Sequence, residues 1–360
     1  MNPFHPNHVC IAVAPASAPD QFQTRTASEI QFDRFQDAVE TPFATLIARS
    51  EAEGDVITEF APDGGRVRDH VFADVRAADQ HLSFGRRESL LVWTEQSSGA
   101  LRARRLDEHG EPSGSPLTLA LSAARAPAVA FNGSQWLIVW ESRTFDRSEL
   151  QWAAVPESHD FAVRGGSLDP NERVTQMVPR VAANGSNFFV AWSESSPIGG
   201  DLTWIFRNVD GDARPVSKRL SLERTNRSYV DGLSSVSCGS ESCVAAGTDS
   251  ATIFSSDLAV LAPAIKIPAA TSRLARPLAN GSFALDGIDT GARAIETIID
   301  SRGNMLTSRF FVDGARQLVV LASSLVYTRS LNTDDRYGYP YFVFIAPLPP
   351  FPERAHSVRH

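Results

Sequence analysis

The chain has 360 residues and carries 34 Lys and Arg against 42 Asp and Glu, a net charge of −8. It therefore lacks the surplus of clustered cations that phosphate binding through counterion release requires, and nucleic acid is not an expected partner. No run approaches the ~20 apolar residues of a membrane-crossing helix, and a chain this long removes ~75% of its unfolded surface from water, enough to fold as a monomer.

The first apolar run, Val9 to Ala14, precedes Ala16-Ser17-Ala18, which has the small residues of a leader cleavage site. The first basic residue is Arg25, however, and the run is short for a leader. Residues 1–27 are read either as the remnant of a signal sequence or as a strand, His8–Val13, that completes the last repeat.

From there the chain is periodic. Leu90-Leu91-Val92-Trp93, Leu137-Ile138-Val139-Trp140 and Phe188-Phe189-Val190-Ala191-Trp192 place three tryptophans 47 and 52 residues apart. That step matches one propeller blade of ~40–50 residues. A turn precedes each run: Phe84-Gly85-Arg86, Asn132-Gly133-Ser134 and Asn184-Gly185-Ser186, then Cys238-Gly239-Ser240, Asn280-Gly281-Ser282 and Asp313-Gly314-Ala315. Asn-Gly and Asp-Gly suit tight hairpins because glycine and asparagine tolerate positive φ. A second series, including Asp107-Glu108-His109-Gly110, Asp210-Gly211-Asp212 and Asp300-Ser301-Arg302-Gly303, keeps the same period further along each unit. Between turns the residues alternate, as in Leu101-Arg102-Ala103-Arg104-Arg105-Leu106, which is strand periodicity.

Each unit thus predicts four antiparallel strands, one blade. The second strands are expected at Pro42–Arg49, Glu88–Thr94, Gln135–Glu141, Asn187–Ser193, Ser242–Gly247, Ser282–Asp286 and Arg316–Ala322. The expected fold is an all-β propeller over residues 28–346 with seven four-stranded blades, six or eight remaining compatible. Residues 347–360 hold four prolines and read as an extended tail.

The repeat resembles that of a group of bacterial exported propeller-repeat proteins, in which Pro-x-Val-Ala-x-Asn-Gly is followed by an aliphatic run ending in Trp-x-Glu or Trp-x-Asp. Pro127-Ala128-Val129-Ala130-Phe131-Asn132-Gly133 and Pro179-Arg180-Val181-Ala182-Ala183-Asn184-Gly185 carry the likeness, while the other units depart from it and several lack the tryptophan. The resemblance implies a propeller and an extracellular or periplasmic location, and says little about activity.

Acidic residues end the second strands at Glu95, Glu141 and Glu194, and basic residues stand near the first strands at Arg125, Arg180 and Arg276. Brought to one channel face, arginines can grip a carboxylate bidentately and the acids can meet hydroxyls. The bland alternative is that these charges pair between blades and lock the ring. The expected function is a non-catalytic binding or display propeller for a protein or carbohydrate partner. The alternative is a sialidase-like glycoside hydrolase or lyase, supported poorly because the Ser-x-Asp-x-Gly-x-Thr-Trp box is missing and four of the five tyrosines crowd into residues 327–341.

The histidines lack metal-ligand spacing, and no phosphate loop or nucleophile elbow is present, so no metal and no cofactor are expected. Cys238 and Cys243 flank a four-residue turn and are read as a hairpin disulfide, which implies an oxidising compartment, or else as two buried thiols. Trp93, Trp140 and Trp192 are expected between blades, whereas Trp136, Trp152 and Trp204 break the repeat and are open to a surface role.

Overall fold

The computed structural model describes residues 11–13, 25–27 and 34–347, apart from 52–53, 63–64, 73–74, 146, 159–161, 172, 196–201, 224–231, 314, 321–323 and 331–340. Among them there is no helix.

β1 (Ile11–Val13) pairs antiparallel with β2 (Arg25–Ala27). Blade one is β3 (Arg34–Glu40), β4 (Thr45–Glu51), β5 (Gly54–Phe60) and β6 (Arg66–Phe72). Blade two is β7 (Ala77–Phe84), β8 (Ser89–Glu95), β9 (Leu101–Leu106) and β10 (Pro112–Ala120). Blade three is β11 (Ala124–Phe131), β12 (Gln135–Arg143), β13 (Ser148–Pro156) and β14 (Arg164–Ser167). Blade four is β15 (Thr175–Asn184), β16 (Asn187–Ser195), β17 (Thr203–Val209) and β18 (Leu220–Glu223). Blade five is β19 (Ser235–Cys238), β20 (Ser242–Ala246), β21 (Ser250–Ser255) and β22 (Val260–Lys266). Blade six is β23 (Thr271–Pro277), β24 (Phe283–Ile288), β25 (Arg293–Ile299) and β26 (Met305–Asp313). A last sheet has three strands, β27 (Ala315–Val320), β28 (Ser324–Ser330) and β29 (Tyr341–Pro347).

The expectation of seven four-stranded blades is therefore met by six, with a three-stranded sheet beside them. β27 lies against β23 and β24 on one side and against β3 on the other, and β1 lies beside β29. One unit was misplaced by sequence. Asp313-Gly314-Ala315 reads as a hairpin turn, yet Asp313 ends the outer strand of blade six and Ala315 begins the inner strand of the next sheet. Composition cannot separate a turn within a sheet from a junction between sheets, and the short interval to that glycine was the signal of the slip.

Each sheet's first strand packs against the first strands of its neighbours, as β7 does with β3 and β11, so these strands surround the central axis. The second strands are sandwiched between adjacent blades and bury both faces: β12 is buried from Gln135 through Trp140, and β16 from Phe188 through Glu194. That explains their unbroken apolar runs. The outer strands meet solvent, and β14 is exposed at all four positions.

Leu46, Ile57, Leu91 and Trp93 fill the space between blades one and two, while Leu137, Val139, Phe188 and Trp192 fill that between three and four. Each such side chain stabilises the ring by about 1.5–3 kcal/mol relative to exposure. Trp93, Trp140 and Trp192 are 3%, 5% and 0% exposed, as their spacing predicts. Trp136 and Trp204 are also buried, which removes them as surface platforms; Trp152 is half-buried.

Polar side chains also join the blades. Asp37 accepts the Leu82 N–H at 2.9 Å, Asp55 the Ala77 N–H at 2.7 Å, and Gln176 the Leu150 N–H at 3.1 Å. A side-chain acceptor of one blade thus satisfies a backbone donor of its neighbour, which a buried sheet end needs.

Candidate binding site at the channel mouth

The inner strands carry irregularities that re-aim their side chains. β11 shifts register between Arg125 and Ala128, and β15 between Met177 and Arg180. Within these bulges Ala126 and Val178 adopt φ of 45° and 51°, a conformation costly for a β-branched residue and kept only where surrounding contacts enforce it. One such contact is visible: Glu141, from blade three, accepts the Val178 N–H at 2.6 Å.

Around that bond the mouth is charged. Arg125 is the ladder partner of Glu141 and is exposed, with no ion pair to any described residue. Arg180 donates Nε to the Ser234 carbonyl at 2.6 Å and Nη1 to the Pro179 carbonyl at 2.9 Å. Burial pushes the Glu141 carboxyl above the usual carboxylate range, against the pull of the Val178 N–H and of Arg125, Arg180 and Arg143. Burial likewise lowers Arg180, while Asp79 and Glu141 hold its charge. Glu141, Arg125 and Arg180 are therefore brought together across blades three and four.

The other expected site residues are elsewhere occupied. Glu95 accepts Ser98 Oγ at 2.5 Å and Arg102 Nε at 2.9 Å, within blade two. Glu194 is buried and accepts Trp192 Nε1 at 2.9 Å and Gln176 Nε2 at 3.2 Å, besides an ion pair with Arg219. Arg276 sits in β23 and donates to Asp286 of β24 at 3.0 Å and Glu296 of β25 at 2.5 Å, two carboxylates with no exposure. Their charges are paired, but within blades two, four and six rather than between blades.

A second channel cluster went unnoticed in the sequence. His81, on β7, has Nδ1 at 3.7 Å from Asp37 of blade one and Nε2 at 3.4 Å from Asp79. Enclosure in the channel opposes its charge, but the two aspartates overcome this and lift its pKa to about 9. The signal was the alternation Asp79-x-His81 on a first strand, which puts both side chains on one face. No group of three or more His, Cys, Asp or Glu among the described residues is arranged to hold a metal.

The rim above Glu141 is apolar in part. Leu121 is 82% exposed in the loop entering β11, and Phe145 is fully exposed in the loop leaving β12. The two loops run together, because the Arg143 N–H bonds the Ala123 carbonyl at 3.0 Å. Arg143 is exposed as well and has no ion pair to a described residue.

No family model matches the chain, and no curated protein matches it in sequence. Solved structures do. The Dos1 propeller superposes with a TM-score of 0.53 at 12% identity, over 91% of this chain and 91% of that chain. The chain has the β-propeller fold. A six-bladed fucose-recognising lectin of Aleuria aurantia aligns at 7% identity and a TM-score of 0.46, over 79% of this chain and 96% of the lectin. KlAtg21, in complex with the coiled coil of AgAtg16, aligns at 12% identity and 0.47, over 74% and 82%.

Two arginines remain for an incoming group, Arg125 and Arg143, beside a half-buried acid and two exposed apolar side chains. Such a patch can bind a carboxylate and anchor an apolar residue.

Proposed function

We propose that this protein is a non-catalytic binding propeller that engages a protein partner through the channel mouth of blades three and four. The observation that carries the reading is Arg125: an exposed guanidinium, without an ion pair among the described residues, next to the bulge that Glu141 pins. Phe145 and Leu121 supply the apolar anchors and Arg125 and Arg143 the charge, arginine being among the residues enriched in binding hot spots. We further propose that the protein is exported, as the bacterial propeller repeats it resembles imply, and that it is a monomer. The disulfide between Cys238 and Cys243 supports an oxidising compartment.

The test is affinity capture on the wild-type protein followed by direct titration of the recovered partner. Arg125→Glu with Phe145→Ala should abolish binding while leaving the unfolding transition in place. Equal affinity for wild type and double variant would remove the channel mouth as the site.

The hydrolase reading retains one support, the raised pKa of Glu141, which suits a general acid. Glu194, its expected companion, is held by Arg219, Trp192 and Gln176. Turnover of a glycoside that disappears in Glu141→Gln, with folding intact, would favour this reading over the first.

A further inference from the structure

At the opposite end of β11 and β12 from Arg125, a cavity of about 620 Å³ opens between the hairpin turns of blades two and three. Arg86, Ser134, Gln135, Pro156, Glu157 and Arg164 line it. Its two arginines differ in their engagement. Arg164 donates to Gln135 Oε1 at 2.8 Å and pairs with Asp212. Arg86 is exposed, and its side chain has no partner among the described residues.

The position of Arg86 is nevertheless defined. Glu157 Oε1 accepts the backbone N–H of Arg86 at 2.5 Å and of Arg87 at 3.0 Å, which ties the blade-two turn to blade three. The Arg86 guanidinium then reaches over the neighbouring turn, with Nη2 at 3.7 Å from where a Cβ on Gly133 would stand. Gly133 has a φ of 95°, so that turn favours glycine and leaves the path of the guanidinium clear. Glu157 Oε1 is engaged by backbone donors, and Arg86 lines the opening with no side-chain partner among the described residues.

We propose that this cavity binds an acidic saccharide, with Arg86 taking the carboxylate. A cavity of this size falls within the ~300–1,000 Å³ of organic-ligand sites and is too large for an inorganic anion alone. Among its described lining residues most side chains are polar, Ser134, Gln135, Glu157, Ser158, Arg86 and Arg164, beside the apolar Pro156 and Ala162, a lining suited to a polyhydroxylated ligand with apolar ring faces. The Ser134 hydroxyl and the remaining donors of Arg164 can meet sugar hydroxyls, while a bidentate carboxylate contact supplies the orientation. This site does not depend on the channel mouth.

The test is calorimetric titration of digalacturonate, with maltose as the neutral control, into wild type, Arg86→Ala and Arg125→Ala. Digalacturonate should bind wild type and Arg125→Ala equally and bind Arg86→Ala about tenfold or more weakly, the loss expected for a charged hydrogen bond, and maltose should give no saturable heat. No binding of digalacturonate, equal affinity in Arg86→Ala, or equal binding of maltose would each overturn the proposal. A loss confined to Arg125→Ala would also overturn it, by moving the ligand to the channel mouth.

Discussion

Replacing Arg276 with alanine separates a blade-stabilising role from a ligand-binding one. Asp286 and Glu296 are both at 0% exposure, and the guanidinium meets them at 3.0 and 2.5 Å. The substitution leaves two carboxylates close together on adjacent strands without their common cation. Breaking a buried pair by removing one partner costs about 3–5 kcal/mol, because the remaining charge stays desolvated. With an m-value of ~3 kcal/mol per M, the urea midpoint should fall by ~1 M or more. Adding Asp286→Leu and Glu296→Leu to the alanine variant should recover most of the loss, since apolar replacements of a whole buried ionic group are often neutral. The assay is urea unfolding followed by tryptophan fluorescence. A loss below ~1 kcal/mol, the range of an exposed ion pair, would refute the reasoning and return Arg276 to the candidate ligand groups.

Three further outcomes follow from the same contacts. His81 has a folded pKa of about 9, above its ordinary value, so its stabilising contribution is complete below about pH 6.5 and is lost as pH rises through 9; thermal melts should show this fall in wild type and not in His81→Gln. Glu141→Ala leaves the Val178 N–H without its acceptor and should cost ~1–3 kcal/mol in urea unfolding, while Glu141→Gln keeps a side-chain oxygen for that bond and should cost less. Cleaving the Cys238–Cys243 disulfide should cost about 2 kcal/mol, given the short loop it closes, and mass spectrometry after alkylation should find both thiols blocked until a reductant is added.

Much of the fold was legible because each blade repeats the same demands. A second strand buried on both faces needs an unbroken apolar run, hence the Trp93, Trp140 and Trp192 segments, and these tight turns need one residue at positive φ, hence Gly133 and Gly185. The pattern lost register where Asp313-Gly314 imitated a hairpin at a junction between sheets. The site was less legible. Glu141, Arg125 and Arg180 do converge, but Arg276 points to partners 10 and 20 residues further along the chain, and Glu194 is enclosed by Trp192 and Arg219. Charge order along a strand does not say which face a side chain takes once a bulge has shifted it, and all three inner strands bearing these arginines are bulged. His81 with Asp37 and Asp79 escaped because its two partners come from different blades.

The central claim is that the arginines of this propeller divide into those engaged within or between blades and those left open for partners. Arginine-selective labelling of the native protein with phenylglyoxal, read site by site by mass spectrometry, tests it directly. Arg125, Arg143 and Arg86 should be modified early, whereas Arg276 and the buried Arg49, held by Thr58 and Asp69 at 2.8 and 2.9 Å, should react only after unfolding. Early modification of Arg276 or protection of Arg125 in the isolated protein would contradict the account.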